Sequence, residues 1–104
     1  ENLSSRTSHS IQWHELDDAL SQGATLVDVR SPKEHAAGAI PGAVNIELDH
    51  LRSRLHELPE GNLVVHCQVG IRGHIAARIL AEHGRSVRNL DGGYLTWLAG
   101  TSLN

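Results

Sequence analysis

The stretch Leu63-Val64-Val65-His66-Cys67-Gln68-Val69-Gly70-Ile71-Arg72-Gly73-His74-Ile75-Ala76-Ala77 decides the fold class. Its first five residues form a nearly continuous apolar run, as expected of a strand covered on both faces. Its last part opens a helix, predicted over 72–83, in which Ile75, Ala76, Ile79 and Leu80 share an inward face and Gly84 supplies the C-cap. A buried strand passing through a Gly-rich turn into a helix is the repeating unit of a parallel sheet sandwiched between helical layers.

Working outward, the same alternation recurs. Leu26-Val27-Asp28-Val29 reads as a short strand reached from Gly23. Ser31-Pro32-Lys33-Glu34 then starts a brief helix, with Ser31 as cap, Pro32 at the first helical position and Glu34 closing a capping box, and the helix stops at Gly38. Ile40-Pro41-Gly42-Ala43 is a turn and Val44-Asn45-Ile46 a second short strand. Leu48, Leu51, Leu55 and Leu58 fall at helical spacing, closed by Pro59. A strand is predicted over 87–90, a final helix over 93–98, and an early amphipathic helix over 13–21 with Leu16, Ala19 and Leu20 inward. Ligands of such sheets bind at the carboxyl ends of the strands, which here means just after Val29, Ile46, Cys67 and Leu90.

Composition bounds the rest. A chain of 104 residues with 39% hydrophobic content suits one domain with one core, built without Phe from Leu, Ile, Val and Ala. Residues 1–10 read as a flexible polar lead-in without the apolar stretch of a secretory signal, leaving 11–104 as the domain. The first residue is Glu1 rather than Met, which reads as an excised fragment or a processed chain. Nine Lys and Arg against twelve Asp and Glu give a net charge of −3, a balance that speaks against a nucleic-acid or anionic-membrane partner. No apolar run approaches the roughly 20 residues of a membrane span. The lone cysteine excludes an intramolecular disulfide and fits a reducing, cytoplasmic setting.

Cys67 is the candidate catalytic residue. A free cysteine at a strand end is more often inert core filler. Behind this one, however, Gln68, Val69, Gly70, Ile71, Arg72 and Gly73 form a Gly-rich, Arg-bearing turn into a helix. Such a turn can fold its backbone N–H groups inward as an anion nest at the positive helix end, where a thiol is favoured as its thiolate. Arg72 would add charge at the rim. The expected result is a nucleophile in a pocket that accepts a small anion.

The other polar residues read more plainly. Asp28 and Arg30, flanking Val29, are expected to form an internal ion pair, for example with Glu34 or Asp91. Gly92-Gly93 either brings backbone close to the pocket or simply breaks strand from helix, and the break is the expectation. The eight histidines (9, 14, 35, 50, 56, 66, 74 and 83) show no metal-ligand spacing beside a second thiol, so no metal is expected. His66 and His74 flank Cys67 and could tune it. His66 cannot serve as its base, because strand neighbours point to opposite faces.

The loop 67–72, read with the rest of the chain, resembles the active-site loop of the rhodanese (thiosulfate sulfurtransferase) superfamily. Leu26-Val27-Asp28-Val29-Arg30 resembles one signature of that family. Glu34-His35-Ala36-Ala37-Gly38-Ala39-Ile40-Pro41-Gly42-Ala43-Val44-Asn45 resembles a second, and Asn89-Leu90-Asp91-Gly92-Gly93 followed by Trp97 a closing one. Ala39 departs from the pattern, standing where many members have His. The resemblance implies a three-layer rhodanese-like domain and a sulfurtransferase that holds sulfur as a Cys67 persulfide, with no organic cofactor. Its donor would be thiosulfate or a CoA persulfide or polysulfide, and its acceptor a thiol or cyanide. Four residues separate Cys67 from Arg72, as in sulfurtransferases, whereas the related dual-specificity phosphatases place five there. Cys67-Gln68-Val69-Gly70-Ile71-Arg72-Gly73-His74-Ile75-Ala76 is most similar to the rhodanese domain at the C-terminus of flavin-dependent CoA-disulfide reductases, which implies a fused or partner flavin reductase. The alternative is a non-turnover docking or regulatory module of a larger redox protein.

Overall fold

The computed structural model describes residues 10–102; the expected lead-in therefore lies outside the described residues except for Ser10. Five parallel strands make one sheet in the order β1-β5-β4-β2-β3, comprising β1 (Ser10–Ile11), β2 (Thr25–Asp28), β3 (Val44–Asn45), β4 (Leu63–His66) and β5 (Val87–Leu90). Four α-helices flank it: α1 (Leu16–Ser21), α2 (Pro32–Ala37), α3 (Ile71–Glu82) and α4 (Gly93–Ser102). This is the α/β sandwich that the alternation of strands and helices implies. Among the described residues no helix is long and apolar enough to cross a membrane.

The pleat of β4 divides the core in two. Leu63, Val65 and Cys67 face one layer, packed with Ile46, Leu51, Ala76, Ile79 and Leu80 beneath α3 and the 48–57 region. Val64 faces the other, packed with Ile11, Leu16, Leu26 and Leu90 against α1 and α4. All four residues of β4 are buried, so the strand carries apolar contacts on both faces as its sequence requires.

Local sequence explains most boundaries. At α2 the Ser31 hydroxyl accepts from the Glu34 N–H at 3.1 Å while the Glu34 carboxylate accepts from the Ser31 N–H at 3.0 Å, the reciprocal box expected from Ser-Pro-Lys-Glu. The leucines at 48, 51, 55 and 58 form two 3-10 segments, Leu48–His50 and Arg52–Glu57, rather than one α-helix. Pairs spaced by three residues suit the 3-10 period equally well, Arg54 leaves helical geometry at φ −117°, and Leu58 is extended ahead of Pro59. The early helix likewise begins as a 3-10 turn, Trp13–Glu15, before α1. β1 was not expected: two residues, Ser10 and Ile11, pair with Asn89 and Leu90 and are too short to show a period. α4 extends four residues past the predicted end, with Gly100 closely apposed to the Trp13 indole.

On α3 the inward face differs from the expected one. Gly73, Ala76, Ile79 and Leu80 are buried, whereas Ile75 is 45% exposed. Gly73 lies so close to Asn89 of β5 that a Cβ there would sit 2.1 Å from the Asn89 Oδ1. That approach sets the roll of the helix and turns Ile75 outward. Leu80 has no solvent exposure and belongs to the layer under Cys67. Leu80→Ala is expected to cost about 2–5 kcal/mol, seen as a lowered urea midpoint with an unchanged slope.

Candidate functional site

Cys67 follows the last residue of β4, at the carboxyl edge of the sheet, and is buried. Its Sγ accepts the Gly70 N–H at 3.0 Å. Gly70 caps α3 at φ +125°, a left-handed conformation that the loop needs to turn this amide back onto the sulfur. The first backbone bond of α3 runs from the His74 N–H to the Gly70 carbonyl at 3.0 Å. The amides of Ile71, Arg72 and Gly73 thus precede the helical ladder and have no acceptor within it.

The opposite side of the loop is held by α4. The Tyr94 N–H donates to the Cys67 carbonyl at 2.8 Å and the Leu95 N–H to the Gln68 carbonyl at 3.1 Å. Two amides that would be orphaned at the start of α4 therefore find acceptors in the cysteine loop. Gly93 makes the approach possible: at φ +64°, a Cβ here would lie 2.5 Å from the Cys67 carbonyl oxygen and 2.7 Å from that of Gln68. Gly92-Gly93 is therefore more than the expected strand-to-helix break: of the two readings, close approach of backbone to the site is the one found. The doubled glycine before a helix was the available signal, but its partner is distant in sequence. Asn89 completes the support, its Nδ2 donating to the Gly70 carbonyl at 3.4 Å.

Beside the loop lies a buried ion pair. Asp28 and Arg30 are both essentially unexposed, with Arg30 Nη2 at 2.7 Å from Asp28 Oδ2 and Nε at 3.0 Å from Oδ1. The expectation of an internal pair holds, but the partners are each other. Glu34 instead receives Arg72 through two bonds of 2.8 and 3.0 Å, and Asp91 receives the Gln12 side chain. Arg30 goes on to donate through Nη1 to Gln68 Oε1 at 2.9 Å and through Nη2 to the Gly38 carbonyl at 2.7 Å, with Tyr94 stacked 4.4 Å from its guanidinium. Burial pushes the Asp28 carboxyl up, yet hydrogen bonds from Arg30 and His35 outweigh it and hold the group below its ordinary value.

His66 also faces this pair. Its Nδ1 lies 3.1 Å from the Cys67 carbonyl, which can only accept, so Nδ1 carries the proton. Its Nε2 stands 3.9 Å from Asp28 Oδ2 without a hydrogen-bond partner. Burial pushes the imidazole below its ordinary value, against the pull of the Asp28 charge. His66 therefore meets the backbone of Cys67 rather than its sulfur, and His74 is exposed on α3.

The six loop residues separate by direction. Gly70 reaches the sulfur, Gln68 turns to Arg30, and Gly73 is pressed against Asn89. Val69 and Ile71 point outward, 58% and 71% exposed. The Arg72 guanidinium is engaged by Glu34 at the rim. A small cleft of about 160 Å³ opens here, lined by Arg30, Glu34, Ala37, Gly38, Gln68 and Tyr94.

The model of the rhodanese-like domain matches residues 12–100. The chain belongs to that family. Among its rhodanese-like relatives, human thiosulfate:glutathione sulfurtransferase is 39% identical over 106 residues, covering 86% of this chain and 92% of that protein. An HTH-type transcriptional regulator of Mycobacterium tuberculosis is 45% identical over 80 residues, covering 73% of this chain. The crystal structure of reduced Bacillus anthracis CoADR-RHD, whose rhodanese domain is the part matched, is 47% identical with a TM-score of 0.80 over 90% of this chain. The chain spans 35% of the mycobacterial regulator and 17% of the Bacillus anthracis chain.

Two expectations follow for the rhodanese-like loop. Gly93→Ala forces a methyl against two carbonyls that bind α4, and is expected to cost about 1–3 kcal/mol, read from urea unfolding. The Glu34 carboxyl is held down to about 2, against an ordinary 4.5, chiefly by the Arg72 hydrogen bond. A carboxyl depressed on folding contributes stability that is complete above about pH 4.5 and is lost as pH falls toward 2. Glu34→Gln should then lower stability by about 1 kcal/mol or less at pH 7, given the exposure of the pair. The difference from wild type should shrink between pH 4.5 and 2 in urea titrations.

Proposed function

We propose that the domain is a sulfurtransferase that carries a sulfane sulfur on Cys67. The observation that carries the reading is the Gly70 N–H donating to Sγ at the base of a loop whose next three amides have no helical acceptor. An anion nest of this kind favours the thiolate and then the persulfide anion that replaces it. The sulfurtransferase name of the human relative, at 39% identity over most of both chains, supports the same class of chemistry.

In the proposed cycle the Cys67 thiolate attacks the outer sulfur of thiosulfate. The sulfur–sulfur bond of the donor breaks, its electron pair leaves with sulfite, and Cys67 holds the transferred sulfur as a persulfide anion. A thiolate or cyanide then attacks that terminal sulfur, and the electron pair of the cleaved bond returns to Cys67. No net oxidation occurs, and the scheme uses no metal or organic cofactor. Gln68, Val69, Gly70, Ile71, Arg72 and Gly73 would bind donor and persulfide through their backbone amides, with Arg72 at the rim. The likeness to the rhodanese domain of CoADR-RHD makes a CoA persulfide or polysulfide the alternative donor and a flavin-dependent disulfide reductase the fused or partner enzyme. The unpaired cysteine fits a cytoplasmic setting.

A second reading, docking without turnover, draws on the exposed Val69, Ile71, Ile75 and Leu95, large aliphatic side chains on and beside the cysteine loop. Intact mass after incubation with thiosulfate separates the two. Gain of one sulfur atom, lost to cyanide and absent in Cys67→Ala, is expected for the carrier. Cys67→Ser should lower turnover on the order of a thousandfold or more. A wild-type protein that gains no mass from thiosulfate or CoA persulfide would favour docking.

A further inference from the structure

A larger cavity than the cleft at Gln68 lies elsewhere in the fold. It is a groove of about 820 Å³ between α3 and the start of β5, running past Ala77, Arg78 and Ala81 on one wall and Arg85 and Arg88 on the other. It begins beside His74, just beyond the cysteine loop, and extends along about 10 Å of α3 toward the amino ends of the strands. Cys67 lies at their carboxyl ends, so the sulfur chemistry proposed above makes no use of it.

The gathering of unpaired cations sets this groove apart. Elsewhere Arg30, Arg54 and Arg72 each face a carboxylate, on Asp28, Glu57 and Glu34, while Lys33 and Arg52 are exposed cations outside the groove. The side chains of Arg78 and Arg88 have neither an ion-pair nor a hydrogen-bond partner among the described residues. Arg85 donates through Nη2 to the backbone carbonyls of Pro59 and Gly61, which holds it in place but leaves its charge uncompensated. Among the described residues no Asp or Glu lines the groove, although the chain as a whole carries −3. Three guanidinium groups without a counter-charge, set around a concave surface, focus positive potential there.

We propose that this groove docks an extended acidic segment of a partner protein. Guanidinium forks on both walls match carboxylates bidentately. The floor between them is aliphatic, formed by buried Leu63 and Val87 with Ala77, and takes the apolar side chains that alternate with those carboxylates along an extended chain. Two features favour a peptide over a phosphorylated ligand. Among the described residues that line the groove only His74, at the end beside the cysteine loop, has an aromatic ring, so a base finds no row of stacking partners along it. The amino end of α3, whose amides would suit a phosphate, is at the cysteine loop and not in this groove.

The test is fluorescence anisotropy with the full chain and a fluorescein-labelled peptide alternating glutamate with leucine. Saturable binding is expected, weakened about tenfold or more in Arg78→Glu/Arg88→Glu and in the milder Arg78→Gln/Arg88→Gln. Replacing the glutamates by glutamine should weaken it as much. Both variants should keep the far-ultraviolet circular dichroism of wild type and the mass gain from thiosulfate, since neither residue touches the cysteine loop. The proposal is overturned if no binding saturates at millimolar peptide, or if the glutamine peptide or the charge-reversed protein binds as wild type does. Displacement by inorganic tripolyphosphate at lower concentration than by unlabelled peptide would also overturn it, in favour of a small polyanion.

Discussion

The site rests on one buried pair of charges. Asp28 and Arg30 stand two residues apart at the end of β2, both out of water. Removing either would strand the other, at a cost of about 3–5 kcal/mol, so the pair persists only where every donor and lone pair is used. Arg30 spends its remaining donors on the Gln68 side chain and the Gly38 carbonyl, and its face on Tyr94. The carboxylate takes His35 as well, and the backbone carbonyls of both residues accept Asn45 Nδ2 at 3.0 Å. Satisfying two buried charges thereby joins β2, the end of α2, β3, the cysteine loop and α4.

That network and the apposition of α4 act on the same loop from different sides. Arg30 fixes the Gln68 side chain, while the first amides of α4 fix the Cys67 and Gln68 carbonyls. Once those carbonyls point toward α4, peptide planarity turns the Gln68 and Val69 amides, which share their planes, away from α4. Gly70 then meets the sulfur itself, with its amide on Sγ and its carbonyl held by His74 and Asn89. The close passes at Gly93 and Gly73 are the steric conditions for it, because a methyl at either would meet a backbone or amide oxygen within 2.5 Å.

What the sequence made legible divides along the same line. The four longer or better bounded strands, the Ser31 cap and the Cys67 turn announce themselves through period, capping chemistry and glycine, all of which act within a few residues. β1 has too few residues for a period, and the leucines from 48 to 58 satisfy a three-residue turn as readily as a helix. Ile75 faces outward because Gly73 can press against Asn89, and Gly93 matters because Cys67 and Gln68 come to lie beneath it. Arg72 with Glu34 and Arg30 with Gln68 are each separated by 38 positions. Pairings of that kind depend on sheet order, which local pattern does not encode.

The arginines carry the last consequence. The anionic sulfur donor proposed for Cys67 would need positive potential there, yet the two guanidinium groups nearest the loop are already neutralised, Arg30 by Asp28 and Arg72 by Glu34. Their charges therefore fix side chains in place and add little net field at the sulfur. The attraction must come mainly from the amides of the loop and the first turn of α3, a partial charge of roughly half an elementary unit at a helix start. In the proposed cycle such a nest suits a small, weakly held anion, released as sulfite or passed on as a persulfide. A bidentate guanidinium clamp would hold the product too well for turnover.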